Sequence, residues 1–263
     1  MAILGPIYTR LLMMQLKPSM WFGVVAFVFV LGLGSFGHTQ ESERWRTSPD
    51  RWLDQETVPK YLDEMSWREL DKEVLLFAGS STAERWNAEK WFSDFRTANR
   101  GFAGSRIDDS VYFADQLLVP YQPSTIVFYA GTNDISQGKS PSLTAEHFGD
   151  FVDAIHSKLP NTQIVFVSIG PSIARWGNWD LASEANALIK QQVDSSPNLY
   201  YADTVSGTLG SDGRPRRELF VDDDLHLTEL GYLEWSRTLK VVVRQAEMRY
   251  RQLKGCDLCG SQR

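Results

Sequence analysis

Short apolar runs alternate with stretches of helical spacing from residue 73 onward, and that alternation restricts the folds open to this chain. The clearest run is Thr125-Ile-Val-Phe-Tyr129, and Gln163-Ile-Val-Phe-Val-Ser168 repeats its character. Glu73-Val-Leu-Leu-Phe77 and Leu199-Tyr-Tyr-Ala202 are shorter, and Thr97-Ala-Asn-Arg100 reads as a weaker strand. Apolar runs without polar alternation belong to strands covered on both faces. Helical spacing fills 108–118, then 144–159 with Thr144 as N-cap and Pro160 as stop, then 181–193, with a long helix from Thr228. Strands alternating with amphipathic helices predict an α/β domain with a central, mostly parallel five-stranded sheet. Right-handed crossovers lay helices on both of its faces, as a three-layer αβα sandwich.

In such a sheet the carboxyl ends of the strands form the ligand crevice. Ser81, Gly104 and Asn133 each fall just beyond a predicted strand end, so all three are expected to face it. A serine at a strand-to-helix turn, near a helix N-terminus that favours negative charge, suits a nucleophile. A plain N-cap accounts for Ser81 as well, and Gly79 to Thr82 also reads as a phosphate-holding loop. Ser80 is expected to point back into the turn. Gly104 lets the backbone approach a substrate and offer an N–H to an oxyanion. The Asn133 amide can donate to the same oxyanion without titrating. Ordinary turn roles stay open for both.

Near the C-terminus, Asp223-Asp-Leu-His226 sets a carboxylate three residues ahead of a histidine. That is the second half of a Ser-His-Asp arrangement, in which a carboxylate holds the imidazole in one tautomer while the ring takes a proton from serine. Asp222 and Asp224 lack this spacing and read as solvated or as N-cap donors. His38, His147 and His156 are expected in the linker or on solvated helix faces.

A formal net charge of −6 over 263 residues argues against a nucleic-acid partner, because a phosphate backbone needs a basic face. A domain of about 200 residues buries enough surface to need neither disulfide nor metal. Cys256 and Cys259, in CDLCG, lack further ligands nearby for a zinc site and read as part of a tail. The segment 20–36 is uncharged, follows Arg10 and Lys17, and is long enough to cross a bilayer. The basic residues before it belong on the cytoplasmic side. A retained signal-anchor and a cleaved signal peptide both fit, since Ser35 and Gly37 are small. Either way the folded part is expected to be exported, periplasmic or extracellular, and held at the membrane if the anchor stays. The chain thus divides into an N-terminal segment 1–37, a polar linker with short helices 38–72, a domain 73–250 and a tail 251–263.

The segments FAGSST, NRGFAGS, YAGTND and DDLHLT, in that order, resemble the four blocks of the SGNH hydrolases, the GDSL-type esterases and lipases. The likeness covers roughly Glu73 to Gln245. It implies that Ser81 is the nucleophile, His226 the general base and Asp223 its orienter. Ser81, Gly104 and Asn133 would form the oxyanion hole, with no cofactor and no metal. The chain has no G-x-S-x-G elbow, so it does not resemble an α/β-hydrolase. Two positions depart from the family pattern. G-D-S-L is here Gly79-Ser80-Ser81-Thr82, and Ser105 follows Gly104 where many members carry aspartate.

The implied reaction is hydrolysis of a carboxylic ester through an acyl-serine. The substrate is a small acyl or acetyl ester, glycan-linked or free, or a lipid ester. Two alternatives stand beside it: an O-acetyltransferase using the same residues, and a non-catalytic flavodoxin-like module binding a ligand at Gly79 to Thr82. Trp176 and Trp179, in the segment from Ser172, are expected at the crevice rim, either stacking on a sugar or packing the domain.

Overall fold

Five strands form a wholly parallel sheet: β1 (Leu75–Gly79), β2 (Thr97–Gly101), β3 (Thr125–Tyr129), β4 (Gln163–Val167) and β5 (Leu199–Ala202). Their order is β2-β1-β3-β4-β5, the doubly wound order of flavodoxin-like folds. The computed structural model describes residues 50–53 and 55–260, all within one unit, Thr47–Arg263. The expected apolar span 20–36, and the linker as far as residue 49, lie outside the described residues. Among the described residues no helix is long and apolar enough to cross a membrane.

Side chains alternate across each strand, so one strand feeds two cores. Leu76, Ala78, Ile126, Phe128, Ile164 and Phe166 face one layer of helices. That layer holds α1 (Asp50–Leu53), α2 (Thr57–Trp67), α5 (Ile107–Tyr112), α7 (Pro141–His156) and α8 (Trp179–Asp194). Phe128 stacks on Phe151 of α7 with centroids 3.9 Å apart. Leu75, Phe77, Val127, Val165 and Val167 face the other layer, built from α3 (Ser81–Glu84), α4 (Ala88–Trp91) and the long α10 (Glu229–Gly260). Two short helices, α6 (Thr132–Ser136) and α9 (Val205–Thr208), complete the connections.

Several boundaries differ from the sequence expectation. β1 starts at Leu75, because Glu73 adopts a left-handed φ of 56° and turns the chain. The helix expected over 108–118 ends at Tyr112 and continues as a π-turn, Ala114–Leu118. The N-cap of α7 is Ser140 and not Thr144. The Ser140 hydroxyl accepts from Leu143 N at 3.2 Å, Pro141 takes the first helical position, and the Thr144 hydroxyl donates back to the Ser140 carbonyl. α10 continues through most of the expected tail and carries Cys256 and Cys259 in its last turns.

Candidate active site

Ser81 follows directly from how β1 ends. Gly79 has φ +119°, and a Cβ there would lie 2.0 Å from the Tyr129 carbonyl oxygen of the neighbouring strand. Only glycine lets β1 run this close to β3 and then turn. Ser80 N donates to that same carbonyl at 2.9 Å, and Ser81 becomes the first residue of α3. The Ser80 hydroxyl is buried and has no hydrogen-bond partner among the described residues, as a side chain turned into the protein would be.

Asp223 and His226 share one turn in the loop closed by the Phe220–Leu227 bridge, just ahead of α10. The Asp223 carboxylate accepts the backbone N–H of His226 at 2.8 Å and of Leu225 at 2.9 Å. Its second oxygen lies 2.6 Å from His226 Nδ1. These bonds, the imidazole contact foremost, hold the Asp223 carboxyl well below the usual carboxylate range. A carboxylate can only accept, so Nδ1 carries the proton and Nε2 presents its lone pair. Nε2 stands 2.8 Å from Ser81 Oγ, a contact that spans 145 residues of sequence. Asp223 is nearly half exposed, at 45%, whereas the His226 ring is mostly covered, at 14%.

Gly104 (φ +77°) and Asn133, at the start of α6, line the same cleft as Ser81 and His226. The Asn133 amide is oriented by partners of fixed polarity. Its Oδ1 accepts from Arg175 Nη1 at 2.9 Å, and its Nδ2 donates to the Ser105 carbonyl at 2.8 Å, which leaves a second N–H on Nδ2. The buried Ser105 donates its hydroxyl to the Gly79 carbonyl at 3.1 Å and ties the Gly104 turn to β1. All five residues singled out from the sequence therefore border one cleft or support it.

Other residues near the site escaped the sequence reading. Arg85 lines the cleft one turn after Ser81, a spacing that could have marked it. Trp176 and Trp179, by contrast, were expected at the rim; they stack on each other at 6.3 Å, and the Arg214 guanidinium covers Trp176 at 4.9 Å, so these rings pack against the domain. Behind Asn133 lies a buried charge cluster. Lys139 Nζ contacts Asp108 Oδ1 at 2.8 Å, Asp134 Oδ1 at 2.9 Å and His147 Nδ1 at 3.0 Å. Asp134 also accepts the Ile107 N–H at the start of α5. Asp108, Asp134 and His147 have the donor types of a metal site, but the Lys139 ammonium already stands among them. His147 is thus buried at 7% exposure, not on a solvated face, because α7 turns it inward toward Lys139. Burial and the adjacent ammonium push its pKa down to about 4.

A profile of the GDSL-like lipase/acylhydrolase family matches residues 76–233, well over half of the chain. The chain belongs to that family. It is an ester hydrolase. Among curated proteins no sequence matches it. Solved structures share its fold at low identity. A Bacteroides fragilis protein assigned as an acylhydrolase is 16% identical, covering 74% of this chain and 98% of that one, with a TM-score of 0.64. A GDSL-like lipase from Bacteroides thetaiotaomicron is 15% identical over 73% and 97%, with a TM-score of 0.59. A family 3 carbohydrate esterase from Clostridium thermocellum is 14% identical over 67% and 98%, with a TM-score of 0.55.

Proposed function

We propose that this esterase works through a covalent acyl-Ser81 intermediate, with His226 as general base and Asp223 as its orienter. The observation that carries the reading is the unbroken chain Asp223 Oδ2, His226 Nδ1, His226 Nε2, Ser81 Oγ, at 2.6 and 2.8 Å. As Ser81 Oγ attacks the ester carbonyl, its proton passes to His226 Nε2, and Asp223 stabilises the resulting imidazolium. The carbonyl oxygen becomes an oxyanion facing the backbone N–H groups of Ser81 and Gly104 and the remaining N–H of the Asn133 amide. His226 then protonates the departing alcohol and afterwards takes a proton from the water that releases the acyl group. Loss of the Asn133 amide in Asn133→Ala should slow kcat by about 10²–10³-fold.

The cleft holds about 180 Å³, below the roughly 300 Å³ at which drug-sized ligand pockets begin. That size supports an acetyl or other small acyl group in preference to a long lipid chain. Such an ester is the substrate we assign, free or carried on a glycan. Export, with the domain outside the cytoplasm, rests on the uncharged segment 20–36 after Arg10 and Lys17. Membrane fractionation with protease protection tests it, and recovery of the domain on the cytoplasmic side would refute it.

The catalytic assignment is tested with a fluorophosphonate probe on the parent chain, Ser81→Ala and His226→Ala. Labelling of the parent alone is expected, with ester turnover lost by several orders of magnitude in Ser81→Ala. A folded parent that resists the probe would remove Ser81 as nucleophile.

A further inference from the structure

Two arginine side chains border the cleft of a chain that is acidic as a whole. Its formal net charge is −6, yet the residues lining the cleft include Arg85 and Arg175 and no aspartate or glutamate. Arg175 is half-buried, and among the described residues it forms no ion pair. Its hydrogen bonds go to neutral groups, Thr132 Oγ1 at 3.0 Å and Asn133 Oδ1 at 2.9 Å, both from Nη1. Nε–H and the two N–H groups of Nη2 have no hydrogen-bond partner among the described residues. The two buried arginines behave differently. Arg100 lies within 3.5 Å of Glu64, and Arg106 within 3.3 Å of both Asp108 and Asp109. Burial without a counter-charge pushes the Arg175 pKa down, which marks a desolvation that no carboxylate among the described residues offsets.

Arg85 adds to the same field. It caps the end of α3, its N–H bonded to the Ser81 carbonyl at 3.0 Å, and its exposed side chain forms no ion pair among the described residues. The adjacent Glu84 carboxylate stands within the influence of Arg85, but its hydrogen bonds come from the Thr57 hydroxyl and the Ala103 N–H. A guanidinium edge with two or three free donors matches the paired oxygens of a carboxylate or phosphate. Two guanidinium groups at one cleft also draw ligands of opposite sign toward it.

We infer that the ester cleaved here carries an anionic group, carboxylate or phosphate, held against the free edge of Arg175 and within the field of Arg85. The inference rests on the hydrolase site at Ser81 and adds the charge of its substrate. Arg175 then has two tasks: one nitrogen holds the Asn133 amide in place, and the remaining donors select substrate.

The test compares three acetyl esters with the full chain: phenyl acetate, 4-carboxyphenyl acetate and 4-phosphonooxyphenyl acetate. Each kcat/KM is divided by that ester's own hydroxide-catalysed rate, which removes leaving-group reactivity. The anionic esters are expected to lead the neutral one by about tenfold or more at low ionic strength, and the lead should shrink several-fold at about 1 M salt. Whichever anionic ester leads identifies the group. In Arg175→Gln and Arg85→Gln the ratio should fall toward one. A merely positioning role for Arg175 would slow all three esters alike and leave the ratio intact, and that result overturns the assignment. If Arg175→Gln loses all turnover, Arg85→Gln and the salt dependence of the parent carry the test. A parent that takes the probe and cleaves phenyl acetate at least as well as its charged analogues overturns the charge selection but keeps the hydrolase reading. A parent with neither labelling nor turnover overturns both.

Discussion

Replacing Lys139 by methionine tests whether a single buried ammonium holds the cluster behind Asn133 together. Methionine keeps most of the apolar stem and removes the charge. The Lys139 side chain is fully covered, and its three N–H groups are spent on Asp108, Asp134 and His147 at 2.8 to 3.0 Å. Asp134 is equally covered, and burial already pushes its pKa up, with Lys139 the strongest opposing influence. Taking one partner out of a buried pair costs about 3–5 kcal/mol, because the other charge stays desolvated. For a domain of this size each kcal/mol moves Tm by about 2–4 °C, so thermal unfolding followed by near-UV circular dichroism should shift down by roughly 6–20 °C. Asp134→Asn added to Lys139→Met should recover a large part of the loss, since no uncompensated carboxylate remains at that position. A shift of only one or two degrees in Lys139→Met, or no recovery in the double variant, would refute the claim that Lys139 neutralises the cluster.

The other expectations are simpler. His147 has an ordinary pKa of 6.5 and a folded value of about 4, so between these the unfolded chain holds a proton that the folded one refuses. Its contribution is complete above about pH 6.5 and is lost as pH falls toward 4, by up to roughly 3 kcal/mol; His147→Gln should flatten a plot of unfolding free energy against pH in that window. Gly79→Ala places a methyl group against the Tyr129 carbonyl at a backbone angle alanine avoids, and should lose several kcal/mol or fail to fold. A Tm within a few degrees of the parent would contradict this account of the turn. Ser80→Ala removes a buried hydroxyl that has no partner among the described residues, so chemical denaturation should find it equal to the parent or more stable by about 1 kcal/mol.

The sheet was legible because its strands are nearly pure apolar runs, and the site was legible because Ser81, Gly104 and Asn133 all follow strand ends. A parallel sheet brings such positions to one edge whatever the details of its helices. Asp223 and His226 could be paired for a different reason: three residues on one turn are enough to bring them together. What could not be read depends on segments that meet only in the fold. Lys139 looks like an ordinary loop lysine until Asp108, Asp134 and His147 converge on it from separate segments. His147 followed the pattern of a surface helix residue because its partner is eight positions away and not on its own face. Ser140 lost to Thr144 as the expected N-cap because both are hydroxyl residues, although Pro141 already marked the first helical position. Arg175 stood in a segment flagged for its tryptophans, and the arginine, not the rings, is what reaches the cleft.

The Asp223–His226 turn has a consequence for how activity switches on during folding. Base and orienter are joined by backbone and side-chain bonds that span at most three residues, so this half of the machinery can form with little help from the sheet. The bond from His226 to Ser81 closes a loop of 145 residues and exists only when the C-terminal segment has docked. Contacts of such long sequence separation come late and are open to local release. Turnover therefore reports on the docking of one segment: residues after Phe220 also cover one face of the sheet through Leu227, Trp235 and Leu239, so the catalytic contact and that half of the core are gained and lost together.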